Sequence, residues 1–181
     1  MLLAGAAHAR RGEVTPAELR AFSFVNGLPQ WAHPPAWAVM QLGSLGGVFG
    51  VAAAAAAAGR LPLARRLAAT GSFTWVGAKV VKQFVRRARP STTDHLARVI
   101  GRAPAGLGYP SGHAAVAATL AAVAVPGLPV RGRRTMWAAA LLVGPARMYV
   151  GAHLPLDVVG GIGLGAAVGA LTRRWSGTGH S

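Results

Sequence analysis

Residues 36–58, AWAVMQLGSLGGVFGVAAAAAAA, run for 23 positions without a charged side chain. A helix of that length reaches ~35 Å, enough to cross a hydrocarbon core of ~30 Å. In lipid the backbone groups of such a segment must bond within the segment, which selects helix. The stretch therefore predicts one transmembrane span and sets the rest of the chain among helical membrane bundles. The composition agrees: 52% of the 181 residues are hydrophobic and 13% charged, a charge content low for a soluble domain. There are no cysteines, so disulfide frameworks and thiolate metal sites are excluded.

Four weaker apolar segments follow, at 67–85, 112–129, 136–150 and 154–171. Each carries polar residues or ends early: Lys79 and Lys82 in the first, Pro145 and Arg147 in the third, Asp157 at the start of the last. An ionisable group inside a span costs at least ~2.5 kcal/mol and usually faces the bundle interior. The run Gly160-Gly161-Ile162-Gly163-Leu164-Gly165 follows no strand, so it reads as a surface for close helix packing. The expected fold is an all-α integral membrane bundle of about five transmembrane helices. Residues 1–12 read as a frayed terminus, because Arg10 and Arg11 follow the apolar part where a signal peptide carries its charges first. Thr15-Pro16-Ala17-Glu18 is a helix start, with Thr as cap and Pro at the first position. Leu19, Phe22 and Val25 then give a short amphipathic helix expected at the membrane surface, and Trp31 and Trp37 fit an interfacial belt. The division is a tail and interfacial helix over 1–35, a membrane-embedded domain over 36–172, and a basic flexible tail over 173–181.

The net charge is +15, from 19 Lys and Arg against 4 Asp and Glu. Nucleic-acid binding would explain that number, but the charges sit in short clusters between apolar runs, which is the pattern of basic loops in a membrane protein. Arg60, Arg65 and Arg66, then Arg131, Arg133 and Arg134, then Arg173 and Arg174 fall on one side if five spans alternate. The positive-inside rule makes that side cytoplasmic. The basic loop 86–110 and the turn near His153 share the other side, with the N-terminus.

Three polar groups collect on that outer side. Lys82 and Arg89 are seven residues apart, nearly two helical turns, so they share a face before Pro90 stops the helix. Pro110-Ser111-Gly112-His113 opens the next span, placing a Ser, backbone N–H groups and a His at a helix N-terminus. Arg147, His153 and Asp157 form the third group, with His153 and Asp157 spaced to stack on one helical face. Cations and oriented N–H groups make a cradle for a phosphate dianion. Two histidines with separate duties suit phosphoryl transfer through a covalent intermediate. The nucleophile must be neutral, with a carboxylate on its other nitrogen. Asp157 is the acid placed for that, which makes His153 the nucleophile and His113 the acid.

Lys82-x6-Arg89-Pro90, Pro110-Ser111-Gly112-His113 and Arg147-x5-His153-x3-Asp157 together resemble the three-part signature of the type-2 phosphatidic acid phosphatase superfamily. The resemblance covers residues 82–157. It implies a helical bundle, a metal-independent phosphohistidine mechanism with no cofactor, and a site facing outward from a multi-pass protein of the cell membrane. It assigns Lys82, Arg89, Ser111, Gly112 and Arg147 to phosphate binding, His113 to acid–base work, and His153 with Asp157 to nucleophilic attack. The implied partners are the bilayer and a membrane lipid or polyprenyl phosphate, and no nucleic acid. Ala146 stands where the family usually has Ser.

Each residue alone has a plainer reading. Lys82 at a helix end is an ordinary snorkelling anchor, Ser111 an ordinary cap, and Tyr109 and Tyr149 ordinary packing residues. His113, His153 and Asp157 could form a two-His-one-carboxylate metal set, but the nearby cations oppose a metal ion. Asp94 and His95 could touch a substrate head group or lie in a solvated loop. The alternatives to a phosphatase are a non-catalytic phospholipid-binding protein, a vanadate-dependent haloperoxidase and a transporter.

Overall fold

A computed structural model describes residues 2–92 and 97–177. Among the described residues the chain is helical, with no strand. Eight α-helices follow in order: α1 Leu2–Arg10, α2 Pro16–Asn26, α3 His33–Gln41, α4 Leu45–Ala57, α5 Leu61–Val85, α6 Gly112–Ala124, α7 Val130–Tyr149 and α8 Pro155–Gly177. Asp94 and His95 lie outside the described residues, as does the end of the basic tail.

The bundle is organised around α6. Every residue from Ala114 to Ala124 is buried, because small side chains let neighbours close in from all sides. Val48 and Ala52 of α4, Leu67 of α5, and Val116, Leu120 and Val123 of α6 form one core. On the opposite flank, Ala117 and Ala121 meet Ala140 and Val143 of α7. The closest approach is between α6 and α8. Gly161, Gly165 and Gly169 are spaced to share one face, and a Cβ on any of them would collide with α6, at Ser111, Ala115 and Ala122 respectively. The glycine run is thus a packing surface, as its spacing predicted. Polar side chains fasten the same helices: Thr74 and Thr119 hydroxyls lie 2.9 Å apart, and Thr119 donates to the Gly165 carbonyl at 3.2 Å.

The 36–58 stretch is not one helix. It breaks at Leu42-Gly43-Ser44 between α3 and α4, which are bent 63° from each other. Gly43 presses against the main chain of His113, where any Cβ would collide. Ser44 then restarts the helix, its Oγ accepting from Gly47 N at 2.9 Å and donating to Gln41 O at 2.8 Å. Hydropathy is blind to this close approach. Other expectations shift as well. Residues 2–10, expected to fray, form α1, with Ala9 buried against Val85 and Tyr109. Pro145 does not interrupt α7, which runs through it. Lys79 faces outward with its ammonium 3.4 Å from the Trp75 ring, a cation–π contact, and only Lys82 turns inward.

By length and composition, the segment Pro155–Arg173 of α8 is apolar enough to cross a membrane, and α3 with α4 qualify together as a broken span. α6 has 13 residues, ~20 Å of helix. The surface carries outward-facing apolar side chains. On α5, Phe73, Val76, Val80 and Phe84 are all more than half exposed and share one stripe. Phe49, Leu142 and Val159 extend the apolar surface over other helices.

Candidate active site

All eight residues singled out in the sequence converge at one end of the bundle. α5 stops at Val85, where Arg86 adopts a left-handed conformation with φ 55°. Past that turn the side chains alternate between exposed and buried. Arg87 and Arg89 are buried, while Arg86 and Ala88 are exposed. Lys82, on the last turn of α5, donates to the carbonyls of Leu107 at 2.8 Å and Gly108 at 2.7 Å. Arg89 donates through Nε to Gly106 O at 3.0 Å and through Nη1 to Ala152 O at 2.7 Å.

Ser111 caps α6, its Oγ accepting from Ala114 N at 3.4 Å. Its own N–H donates to the main-chain oxygen of Asp157 at 2.8 Å, which joins the start of α6 to the start of α8. Gly112 opens α6 beside Ala78 of α5. His113 is half-buried, its main chain against Gly43, within electrostatic reach of Arg147, His153, Arg89 and Lys82. Arg147 ends α7 and donates to Met40 Sδ at 3.5 Å, which ties it to α3. A cavity of about 360 Å³ opens there, lined by His33, Trp37, Met40, Arg102, Arg147 and Ala152.

His153 is buried between α7 and α8. Its Nε2 lies 3.2 Å from Arg89 Nη1 and its Nδ1 3.5 Å from Asp157 Oδ2. Burial pushes the His153 imidazole below the ordinary histidine range, Lys82 and Arg89 push the same way, and Asp157 pulls against them. The ring is therefore neutral at physiological pH. A neutral imidazole with one nitrogen facing a carboxylate and the other facing a guanidinium can attack an electrophile held by that guanidinium. Among the described residues no group of three or more His, Asp or Glu is arranged to hold a metal ion.

The sequence reading missed the residues that hold Asp157. Arg87 Nη1 donates to Asp157 Oδ1 at 3.0 Å and to Glu18 Oε1 at 3.0 Å, and Nη2 donates to Glu18 Oε2 at 2.7 Å. The other Asp157 oxygen accepts from Leu154 N at 3.0 Å, and Glu18 Oε1 accepts from Leu156 N at 2.9 Å. Burial works against a charge on Arg87, but the hydrogen bond to Glu18 and the charge of Asp157 outweigh it and raise its pKa. Burial lowers the pKa of Arg89, with Asp157 opposing. Thr15 does cap α2 by accepting from Glu18 N at 3.1 Å. The Glu18 carboxylate, however, reaches inward, so α2 braces the site with its buried face. Farther along α2, Asn26 donates to Tyr149 O at 2.8 Å and to Arg98 O at 2.9 Å, and accepts from Arg98 N at 2.8 Å. A usable signal existed. With 4 acids in a chain of net charge +15, any carboxylate has many cations to choose from. Arg87 is also two residues from Arg89, in the same short segment after the apolar run 67–85.

The family model described as the PAP2 superfamily matches residues 61–180. The chain belongs to the PAP2 superfamily. It is 37% identical over 121 residues to a decaprenylphosphoryl-5-phosphoribose phosphatase of Mycobacterium tuberculosis, covering 61% of this chain and 62% of that protein. It is 32% identical over 105 residues to an undecaprenyl-diphosphatase of Sulfolobus acidocaldarius, covering 56% and 49%. The matched region thus spans less than two thirds of either relative. Two solved structures share the PAP2 fold. LpxE of Aquifex aeolicus superposes with a TM-score of 0.79 at 24% identity, over 90% of this chain and 98% of that one. A transmembrane PAP2-type phosphatidylglycerolphosphate phosphatase of Bacillus subtilis gives 0.75 at 20% identity, over 97% and 94%.

Proposed function

We propose that this protein is an integral membrane phosphatase that hydrolyses a lipid phosphate or isoprenoid diphosphate through a phosphohistidine intermediate. The observation that carries the reading is His153. It is a buried neutral imidazole whose Nε2 faces Arg89 and whose Nδ1 faces Asp157. Lys82, Arg89, Arg147 and the α6 N-terminus at Ser111 and Gly112 hold the phosphate oxygens. His153 Nε2 attacks phosphorus and the P–O bond to the lipid breaks. His113, protonated in answer to the negative charge of the bound substrate, gives that proton to the leaving oxygen. Asp157 steadies the imidazolium that forms, and Arg87 and Glu18 keep Asp157 ionised and in place. A water, deprotonated by His113, then cleaves the P–N bond and releases inorganic phosphate.

The exposed apolar stripe on α5 and the matching residues on α4, α7 and α8 support about five membrane crossings, the first of them broken. The names of the related proteins favour a polyprenyl-linked phosphate or diphosphate as substrate. The arginine clusters at the end opposite the site support an extracytoplasmic active site under the positive-inside rule. α1 and α2 pack at the site end, which agrees with an odd number of crossings.

The test is phosphate release from phosphatidate, phosphatidylglycerophosphate, farnesyl diphosphate and undecaprenyl diphosphate. Wild type and His153→Ala are run side by side, with and without a chelator. The wild type releases phosphate in chelator, and His153→Ala loses it by at least about a thousandfold, the scale of losing a covalent nucleophile. Inhibition by the chelator that a divalent metal reverses overturns the mechanism.

A further inference from the structure

A large cavity lies at the other end of the molecule from His153. It is an open cleft of about 730 Å³ between the start of α5, the end of α6 and the end of α8, and Arg60, Arg66 and Arg173 line it. Three observations mark it as a built site. First, the cations have no carboxylates to answer them. Among the described residues the acids are Glu13, Glu18 and Asp157, all at the active-site end around Arg87. Second, its donors are in part unspent: Arg66 is half-buried, and Arg60 and Arg173 stand at the mouth of the cavity. Arg66 Nε is buried without a hydrogen-bond partner. Arg60 sits at the N-cap of α5, a 25-residue helix that no side chain caps, so the positive end of the helix dipole faces the same space. Arg173 is held there by donating to Ala122 O at 2.9 Å, and the Arg60 guanidinium lies over Gly127, which has no side chain to displace it. Third, the remaining wall is apolar, with Leu63, Val123 and Pro126. Leu61, Val130 and Leu171 stand exposed at the same end.

An arginine cluster without acids, backed by an apolar wall, matches a phosphodiester that carries acyl chains. We propose that this cavity binds the headgroup of an anionic phospholipid from the leaflet opposite the active site. The lipid is held there and not hydrolysed. Its phosphate bridges the starts and ends of α5, α6 and α8, helices that also carry Lys82, His113 and Asp157 at their far ends. The inference rests on the membrane-embedded reading above, and independently of whether His153 is a nucleophile.

The experiment measures thermal unfolding of the full-length protein in neutral detergent micelles. The probes are phosphatidylglycerol, phosphatidylcholine and inorganic phosphate, tested on wild type, His153→Ala, and Arg66→Gln/Arg173→Gln. Phosphatidylglycerol raises the Tm of wild type and of His153→Ala, and phosphatidylcholine does not. In Arg66→Gln/Arg173→Gln the phosphatidylglycerol effect needs at least tenfold more lipid, while phosphate release at saturating substrate is kept. A wild-type Tm that responds equally to both lipids overturns the proposal, and that comparison stands even if the double variant does not fold. An undiminished phosphatidylglycerol response in a folded double variant overturns it too. Inorganic phosphate stabilising as well as phosphatidylglycerol does overturns the lipid assignment. Because His153→Ala is in the panel, loss of catalysis and loss of lipid binding are read separately.

Discussion

Glu18→Ala removes a carboxylate 138 residues away in sequence from the backbone N–H it satisfies, and its consequences can be worked out from its three bonds. Two are charge-assisted, to Arg87 at 3.0 and 2.7 Å, and the third is to Leu156 N at 2.9 Å. Arg87 is 2% exposed and Glu18 8%, so water does not replace the lost oxygens. Removing one partner of a buried pair costs about 3–5 kcal/mol, because Arg87 stays buried with its two charge-assisted bonds to Glu18 unmade. For a chain of this size that lowers Tm by about 6–20 °C. The effect on catalysis has its own sign. Arg87 keeps Asp157 as its one charged partner, so its hold on Asp157 tightens at the expense of His153. Phosphate release therefore falls in kcat more than in KM, because the cradle of Lys82, Arg89 and Arg147 is untouched. Glu18→Gln retains the acceptor for Leu156 and one for Arg87, and it falls between wild type and Glu18→Ala. The assays are thermal unfolding in micelles and steady-state phosphate release. A Glu18→Ala protein with unchanged Tm and kcat refutes the idea that α2 braces the site.

Four other perturbations test separate links. Gly43→Val drives a side chain into the main chain of His113 and is expected to abolish monodisperse protein in size-exclusion chromatography. Gly46→Ala, three residues on, meets only the Ser44 hydroxyl at 3.6 Å and is expected to be neutral or to gain up to ~1 kcal/mol in helix propensity. Asn26→Ala frees the carbonyls of Tyr149 and Arg98 and the N–H of Arg98, and costs about 3 kcal/mol, read as a drop in unfolding midpoint. The His153 imidazole is expected to stay neutral in ¹⁵N NMR well below pH 6.5, the ordinary value. The unfolded chain takes up that proton near pH 6.5 and the folded protein does not, so stability declines as pH falls through 6.5, by at most about 1.4 kcal/mol per pH unit. A His153 resonance that titrates at or above 6.5 contradicts the burial argument.

The three motifs were legible because each is local: Lys82 with Arg89, Ser111 with His113, and His153 with Asp157 all sit within nine residues. The helix start at Thr15 and the packing role of Gly161 and Gly165 were legible for the same reason. What escaped depends on pairs far apart in the chain. Arg87 and Glu18 are 69 residues apart, and nothing in either neighbourhood says that they meet. The break between α3 and α4 is a tertiary event, since Gly43 yields to His113 and hydropathy reads both halves as one. Lys79 escaped because Trp75, one turn earlier, gives its charge a place on the outer face. Ala146, where the family usually has Ser, lines an apolar pocket with Val25, Leu28, Ala36 and Tyr149.

The bonds from Lys82 and Arg89 to the carbonyls of Gly106, Leu107, Gly108 and Ala152 have a consequence for turnover. Any anion that enters must compete with oxygens the chain itself supplies, so binding is an exchange of acceptors and not a simple gain of them. The same exchange runs backward when the anion leaves, since each cation returns to a carbonyl already within reach. Under the proposed function, a site built this way sets a ceiling on how tightly it can hold its own product. It trades affinity for speed of release, and the 106–108 backbone is where that trade can be tuned.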